Sequence, residues 1–581
     1  MLKAKNICFE VPDGDEVRVL LNDVNFCVPK GHFMAIVGPS GCGKSTLLKA
    51  IAGINPVSSG SFIWEGRDLE EEGDFEPHEI GYVPQFSIAY DELTVDESIE
   101  YSARLRVKAD EDTLNDIIDN ALAETGLTDI ADRQVKLLSG GQKRRLGLAM
   151  ELVSSPRLLL CDEVTSGLDP HSEREIVELL HQLSLKDGRI VISVTHSLAQ
   201  MELYDSILVM VEGNLAYHGS PQAMSHYFNV ESFEGVYPML ACRDGFAWHD
   251  SWLRHYRDYY MRLNEEHVAK FARLGIPLPE PTPLHQRDSD EEQESPQPGF
   301  LSQTFTLLRR RFDILMRDRG QLLLQIAMIL IFPILVALFS DMGQDQIPSL
   351  PASETGQFSL SDIEAAQEQA EVSARVGTAV SGIIMFQVVL LGLMGSNNSA
   401  REIAGERLIM EKEKLAGVGV APYVASKLAY LTLLVLLQSI WMFGFVQYFW
   451  PFRGDWYVHM GFLLLANAAM TAMCLGISAA CRTADQASLL SIYLVGFQLP
   501  LSGAVLALPE VVARIVQPFI SAYWSWSGSI EGGLEPQVRE VVLSLNSTNF
   551  STSTVCVWVL AAHIAAGLAL AVWGASRTRW E

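Results

Sequence analysis

Beyond residue 320 the chain passes through six apolar stretches, near 321–340, 376–396, 428–450, 460–481, 487–508 and 553–574. Each is close to the ~20 residues that an α-helix needs to cross ~30 Å of hydrocarbon, and a buried soluble helix accounts for any one of them but not for six in succession. Backbone placed in hydrocarbon must satisfy its own N–H and C=O groups, so the second half is predicted to be an all-α membrane domain with six transmembrane helices. A further stretch, Val511 to Trp526, carries Arg514 and Pro518 and reads as a re-entrant or interfacial piece. Charge orients the spans. With the N-terminus inside, the inner flanks hold Arg309, Arg310, Arg311, Arg317, Arg319, Arg401, Arg407, Lys412, Lys414, Lys427, Arg482, Arg577 and Arg579, against Arg375, Arg453, Arg514 and Arg539 outside. Cytoplasmic loops carry such an excess, so both termini are expected in the cytosol of an integral, multi-pass protein of the cell membrane.

The first half is different in kind. Short β-like runs such as HFMAIVG from His32, RLLLCDE from Arg157 and RIVISVTH from Arg189 alternate with helical patterns, the mark of an α/β domain with a largely parallel sheet over residues 1–230. Residues 231–279 read as a helical extension packed on that domain, 280–299 as a disordered acidic linker, and 300–581 as the membrane domain. With 43 basic against 70 acidic residues, a formal charge of −27, the chain lacks the basic footprint that phosphate neutralisation demands, so no nucleic-acid partner is expected. Its eight cysteines form no CxxC pair, which argues against a zinc site or a disulfide scaffold. Glu10 interrupts the N-terminus before an apolar run of signal-peptide length, which places the first domain in the cytosol.

GPSGCGKST, made of Gly38, Pro39, Ser40, Gly41, Cys42, Gly43, Lys44, Ser45 and Thr46, lies between a strand and a helical pattern. In that context the glycines let backbone N–H groups close around phosphate oxygens, Lys44 reaches the β and γ phosphates, and Ser45 ligates Mg²⁺. The strand LLLCDE ends on Asp162 and Glu163, at the edge where α/β ligand sites lie. Asp162 would hold Mg²⁺ and Glu163 would polarise an attacking water.

Between these halves lies LSGGQKRRLGL, Leu138 to Leu148. Phosphate loop, LSGGQ and strand-end acids in this order resemble an ATP-binding cassette, over roughly residues 5–220. The resemblance implies ATP and Mg²⁺ as ligands. It implies that Ser139, Gly140, Gly141 and Gln142 meet the ATP held by a second subunit. It also implies that Gln85 in GYVPQ serves catalysis and the metal, that Asp169 in SGLD belongs to the site, and that His196 in SVTHS contacts the γ-phosphate. Two positions depart from the family pattern: the adenine-stacking aromatic falls near Val11, with Phe9 close by, and Val164 replaces the proline after the acids.

Cassette-first order resembles the G subfamily of ABC half-transporters and its bacterial relatives, as do KRR after LSGGQ and ERLIMEKEKLAGVGVAPYVASK from Glu406. In that family the segment between the second and third spans contacts the cassette, so Glu406 to Lys414 is a candidate for transmitting motion, and an ordinary solvated loop is the alternative. Sequons stand at Asn546 and Asn549 in the outer segment 509–552, and Gln387, Gln438, Asn467, Gln498 and His563 are polar groups within apolar stretches, able to line a cavity or to join helices. The resemblance implies ATP-driven export of a lipophilic or amphipathic substrate, or of membrane lipid, by a homodimer or heterodimer. A membrane ATPase that uses the same switch for mechanical or regulatory signalling is the alternative.

Overall fold

The computed structural model describes residues 1–14, 16–86, 88–186, 188–275, 277, 297–339, 360–451, 454–505 and 508–577. Most of the linker expected at 280–299 and part of the first outer segment lie outside these residues. The chain divides into two compact units: Met1–Thr306 with Glu411–Val418, and Leu307–Met410 with Gly419–Arg579.

Among the described residues the first unit contains ten strands: β1 (Leu2–Asp13), β2 (Glu16–Val28), β3 (Phe33–Val37), β4 (Ser59–Trp64), β5 (Arg67–Asp68), β6 (Ile80–Val83), β7 (Leu158–Asp162), β8 (Ile190–Val194), β9 (Ser206–Val211) and β10 (Asn214–Gly219). Six form one sheet in the order β10-β9-β3-β8-β7-β6, parallel except for β10. In β3, β7 and β8 every residue is buried, as strands covered on both faces require. The parallel arrangement collects the loops after β3, β6, β7 and β8 at one edge, which positions the site. A second, antiparallel sheet has the order β2-β1-β4-β5 and was absent from the sequence reading. After the sheets come a turn Phe233–Gly235, a helix Val236–Leu240 and a 30-residue helix Gly245–Leu274. Trp248 and Trp252 of the long helix are buried in the same apolar core as the six-stranded sheet.

The second unit is helical. Among the described residues five helical stretches are long and apolar enough to cross a membrane: Arg319–Leu338, Ala370–Leu415, Val420–Phe449, Trp456–Ala480 and Ser553–Ser576. The fifth expected span, 487–508, is broken instead. It forms Ala484–Gly496, 13 residues long, and the four-residue Gln498–Leu501. Thirteen residues rise only ~20 Å, short of the hydrocarbon thickness. Gly496 and Pro500 weaken helix continuity here, and Gln498 turns its side-chain oxygen to accept from the Ala522 amide at 3.0 Å and the Ser521 hydroxyl at 3.1 Å. The stretch 511–526 falls into Glu510–Val516, a turn Gln517–Phe519 and the helix Ser521–Gly533, whose Tyr523, Trp526 and Ile530 are buried in the core of this unit.

The polar groups within the apolar stretches join helices. Gln438 accepts from Asn398 at 3.1 Å and from Asn467 at 3.5 Å, and Gln387 meets His459 at 3.1 Å. His563 reaches the Pro518 carbonyl at 2.8 Å.

Candidate functional site

The loop from Gly38 to Gly43 links β3 to the helix Lys44–Ile51. Gly38 has φ +154°, and a Cβ there would stand 2.3 Å from the Met210 carbonyl oxygen. Gly43 has φ +100°, with a Cβ 2.8 Å from the Leu20 carbonyl oxygen. Backbone pressed this closely against β9 and β2 excludes side chains at both positions. Pro39, Ser40 and Gly41 form the exposed rim, Cys42 is buried, and Thr46 is half-buried at the helix start. Lys44 is buried, and its ammonium donates to the carbonyls of Gly38 at 3.0 Å and Pro39 at 2.9 Å, so the positive charge rests on the loop itself.

Ser45 donates its hydroxyl to Asp162 at 2.9 Å, joining the loop to the end of β7. Tyr82, on β6, donates to the other Asp162 oxygen at 3.3 Å; sequence reasoning missed it, although its place three residues before Gln85 on the same strand end was a signal. Burial raises the Asp162 pKa, the Ser45 bond opposes the rise, and the neighbouring Glu163 charge adds to it. A hydroxyl and a carboxylate side by side at a phosphate loop suit Mg²⁺, which takes oxygen ligands from one or two side chains and completes its shell with phosphate and water. Among the described residues no group of three or more His, Cys, Asp and Glu could hold a metal ion unaided.

Glu163 adopts φ +48°, the left-handed region that non-glycine residues seldom enter, and its N–H donates to the Val194 carbonyl at 3.1 Å. That conformation presents its carboxylate to two partners. Gln85 donates its amide N–H to one oxygen at 2.7 Å, and His196, following β8, places Nε2 2.5 Å from the other. Gln85 thus engages Glu163, not Asp162. The structure brings Ser45 to Asp162 and gathers Gln85 and His196 on Glu163.

Ser139, Gly140, Gly141 and Gln142 form a separate cluster. Ser139 caps the helix Gly140–Leu152 by accepting from the Gln142 amide at 3.3 Å, while the Gln142 side-chain oxygen accepts from the Ser139 amide at 3.0 Å. The Gln142 side chain therefore builds the cap. Ser139 and Gly140 are exposed. Asp169 is likewise a cap, accepting from the amides of His171 and Ser172 at 3.1 Å each. Near the adenine position, Phe9 packs against the core and Val11 is half-buried.

A third group of charges lies inside the first unit. Glu151, the one acid in the apolar run LGLAMELV, accepts from Arg106 at 2.8 and 3.1 Å and pairs with Lys412 at 2.9 Å, and all three residues are buried. Burial alone would raise the Glu151 pKa, but Arg106 and then Lys412 overcome it and hold the carboxyl down at about 2. Within the segment Glu406 to Lys414, Glu411–Lys414 belong to this unit. Glu406 and Arg407 belong to the second unit, where Glu406 pairs with Lys427 at 2.6 Å. Arg407 donates there to the carbonyls of Ala479, Gly574 and Cys481.

Comparison with known proteins fits this geometry. Residues 21–166 match the ABC transporter family and residues 302–526 the ABC-2 type transporter family, so the apolar helices belong to a membrane domain. The energy-coupling factor transporter ATP-binding protein EcfA1 of Streptococcus thermophilus is 31% identical over 226 residues, 39% of this chain and 81% of that protein. The chain belongs to the ABC transporter family. The ABC transporter ATP-binding/permease protein Rv1747 of Mycobacterium tuberculosis is 28% identical over 433 residues, 74% of this chain and 44% of its own length. ABC transporter G family member 13 of Arabidopsis thaliana is 37% identical over 226 residues, 37% of this chain and 33% of its own. This ABC chain therefore spans less than half the length of either of those two relatives, and its order, cassette before membrane domain, is that of the G-type half-transporters it resembles.

Proposed function

We propose that the protein is an ATP-driven translocase of lipophilic or amphipathic molecules, working as a dimer with both termini in the cytosol. The observation that carries the reading is the pairing of Gln85 and His196 on Glu163 beside the Ser45–Asp162 contact, in a chain that also holds membrane-length apolar helices. Glu163, held by two partners, is placed to orient a water and accept its proton. His196 is placed to bear on the terminal phosphate, and Lys44 to neutralise phosphate charge once drawn off the loop carbonyls. Mg²⁺, when bound through Ser45 and Asp162, supplies charge neutralisation at the transferring phosphoryl group.

Ser139, Gly140 and Gly141 sit at an exposed helix N-terminus and, among the described residues, share no hydrogen bond with Lys44, Ser45, Asp162 or Glu163, which suits contact with the phosphates held by a second copy. Two sites per dimer follow, each using Lys44, Ser45, Gln85, Asp162, Glu163 and His196 of one chain and Ser139–Gly141 of the other. In this reading the segment Glu411–Val418, anchored through Lys412 on Glu151, carries cassette motion onward. The cargo class and the outward direction rest on the resemblance to the G subfamily. The test is purified protein in liposomes carrying fluorescent lipid in one leaflet: ATP should drive its transfer in the unmodified protein and not in Glu163→Gln. ATP turnover without transfer of lipid or of any co-purifying amphipathic molecule would favour a signalling ATPase.

A further inference from the structure

The helical extension brings to the rim of the nucleotide site one polar side chain that the chemistry above does not use. The turn Phe233–Gly235 and the helix Val236–Leu240 are fixed by Val236 and Leu240, both buried in the core, and the Leu240 carbonyl accepts the Trp248 indole N–H at 3.1 Å. Between these anchors, Tyr237 donates its hydroxyl to the main-chain carbonyl of His196 at 3.2 Å. The backbone of Gly38 faces the same hydroxyl oxygen. This hydroxyl therefore bonds the peptide of His196 and lies beside the first glycine of the phosphate loop. The histidine needs such a brace. Its side chain is 44% exposed, and the chain after β8 has no regular structure until the turn Met201–Leu203.

We propose that Tyr237 is a positioning residue for ATP hydrolysis, holding the His196 peptide in register with the phosphate loop so that the imidazole meets Glu163 and the terminal phosphate together. The proposal rests on the ATPase reading given above. Among the described residues Tyr237 makes no hydrogen bond to Lys44 or Ser45, so its loss should act on the chemical step and leave nucleotide binding alone. A tyrosine that merely staples the extension to the cassette would instead lower stability, and its effect on turnover would not depend on His196.

The experiment is steady-state ATP turnover by the purified full-length protein carrying Tyr237→Phe, alone and combined with His196→Ala, with thermal unfolding of each variant. The ring is kept and one hydrogen bond is lost, so kcat should fall roughly three- to tenfold with KM within about twofold and an unchanged unfolding midpoint. On the residual turnover of His196→Ala, the same change should have no further effect. An unchanged kcat in Tyr237→Phe, or an equal further loss on top of His196→Ala, overturns the proposal. No turnover by the unmodified protein overturns the ATPase reading itself and this proposal with it.

Discussion

Replacing Glu151 by glutamine removes the carboxylate that the structure sets against Arg106 and Lys412, and the size of the effect follows from its titration. The carboxyl is held at about 2 against an ordinary value of 4.5, a difference worth about 3 kcal/mol at neutral pH by 1.36 kcal/mol per pH unit. Glutamine forfeits that attraction and leaves two buried cations facing each other, a situation that commonly costs about 3–5 kcal/mol. Lys412→Met is milder, because Glu151 keeps both bonds to Arg106 and an apolar chain fills the space. The double variant should be less damaged than the sum of the two, since only one cation is then left unpaired. Hydrogen exchange at the buried amides Leu146–Leu152 of the full-length protein reads this as local opening, and about 3 kcal/mol corresponds to roughly a hundredfold faster exchange in Glu151→Gln. Because the folded pKa is depressed, the contribution is complete above pH 4.5 and is lost as pH falls toward 2, where the unmodified protein should converge on the variant. Equal acceleration in Lys412→Met and Glu151→Gln, or less than about threefold in the latter, would refute the reasoning.

Glu163→Gln should retain ATP and Mg²⁺ while turnover drops by ~10² to 10⁴, because an amide cannot take up the proton of the water it orients; phosphate release measured beside nucleotide binding checks this. Arg407→Glu should deplete folded protein at the membrane and not merely uncouple it, since the side chain is buried on three main-chain carbonyls; size-exclusion profiles of the solubilised variant report it. Single cysteines at Asn546 and Asp290, in a background lacking the exposed Cys242, should differ on intact cells: an impermeant thiol reagent should label 546 alone, and labelling at both would break the proposed topology.

The parallel sheet and its phosphate loop were legible because β3, β7 and β8 are largely apolar runs whose ends coincide with GPSGCGKST, DE and TH. The antiparallel sheet was not. In β1 the pairing register shifts between Ala4 and Ile7 and again around Phe9, with Asn6 at φ 49°, and such bulges erase the alternation that a strand shows in sequence. Glu163 was read from its place at a strand end and Gln85 and His196 from the family resemblance, while their mutual contact depends on the register that sets β7 beside β8, Asp162 opposite Val194. The break after Gly496 was hidden because hydropathy averages over the single Gln498, whose side chain turns to the start of the helix Ser521–Gly533. Glu406 to Lys414 read as one coupling segment, yet within it Lys412 meets the buried Glu151, while Glu406 and Arg407 bind within the second unit.

Complementation between two dead variants tests directly whether each ATP site draws on two chains. Lys44→Ala disables the phosphate loop. Gly140→Asp places a carboxylate at an exposed helix start, where it suits the helix but repels phosphate, and a Cβ there would meet only Leu168 at an ordinary 3.6 Å. Each variant alone should be inactive. Co-expressed, the two chains form mixed dimers in which one site has an intact loop from one copy and an intact Ser139–Gly141 from the other, so turnover should recover to about a quarter of normal under random pairing. No recovery in mixed dimers isolated through two different tags, or full activity of Gly140→Asp by itself, would contradict the shared site.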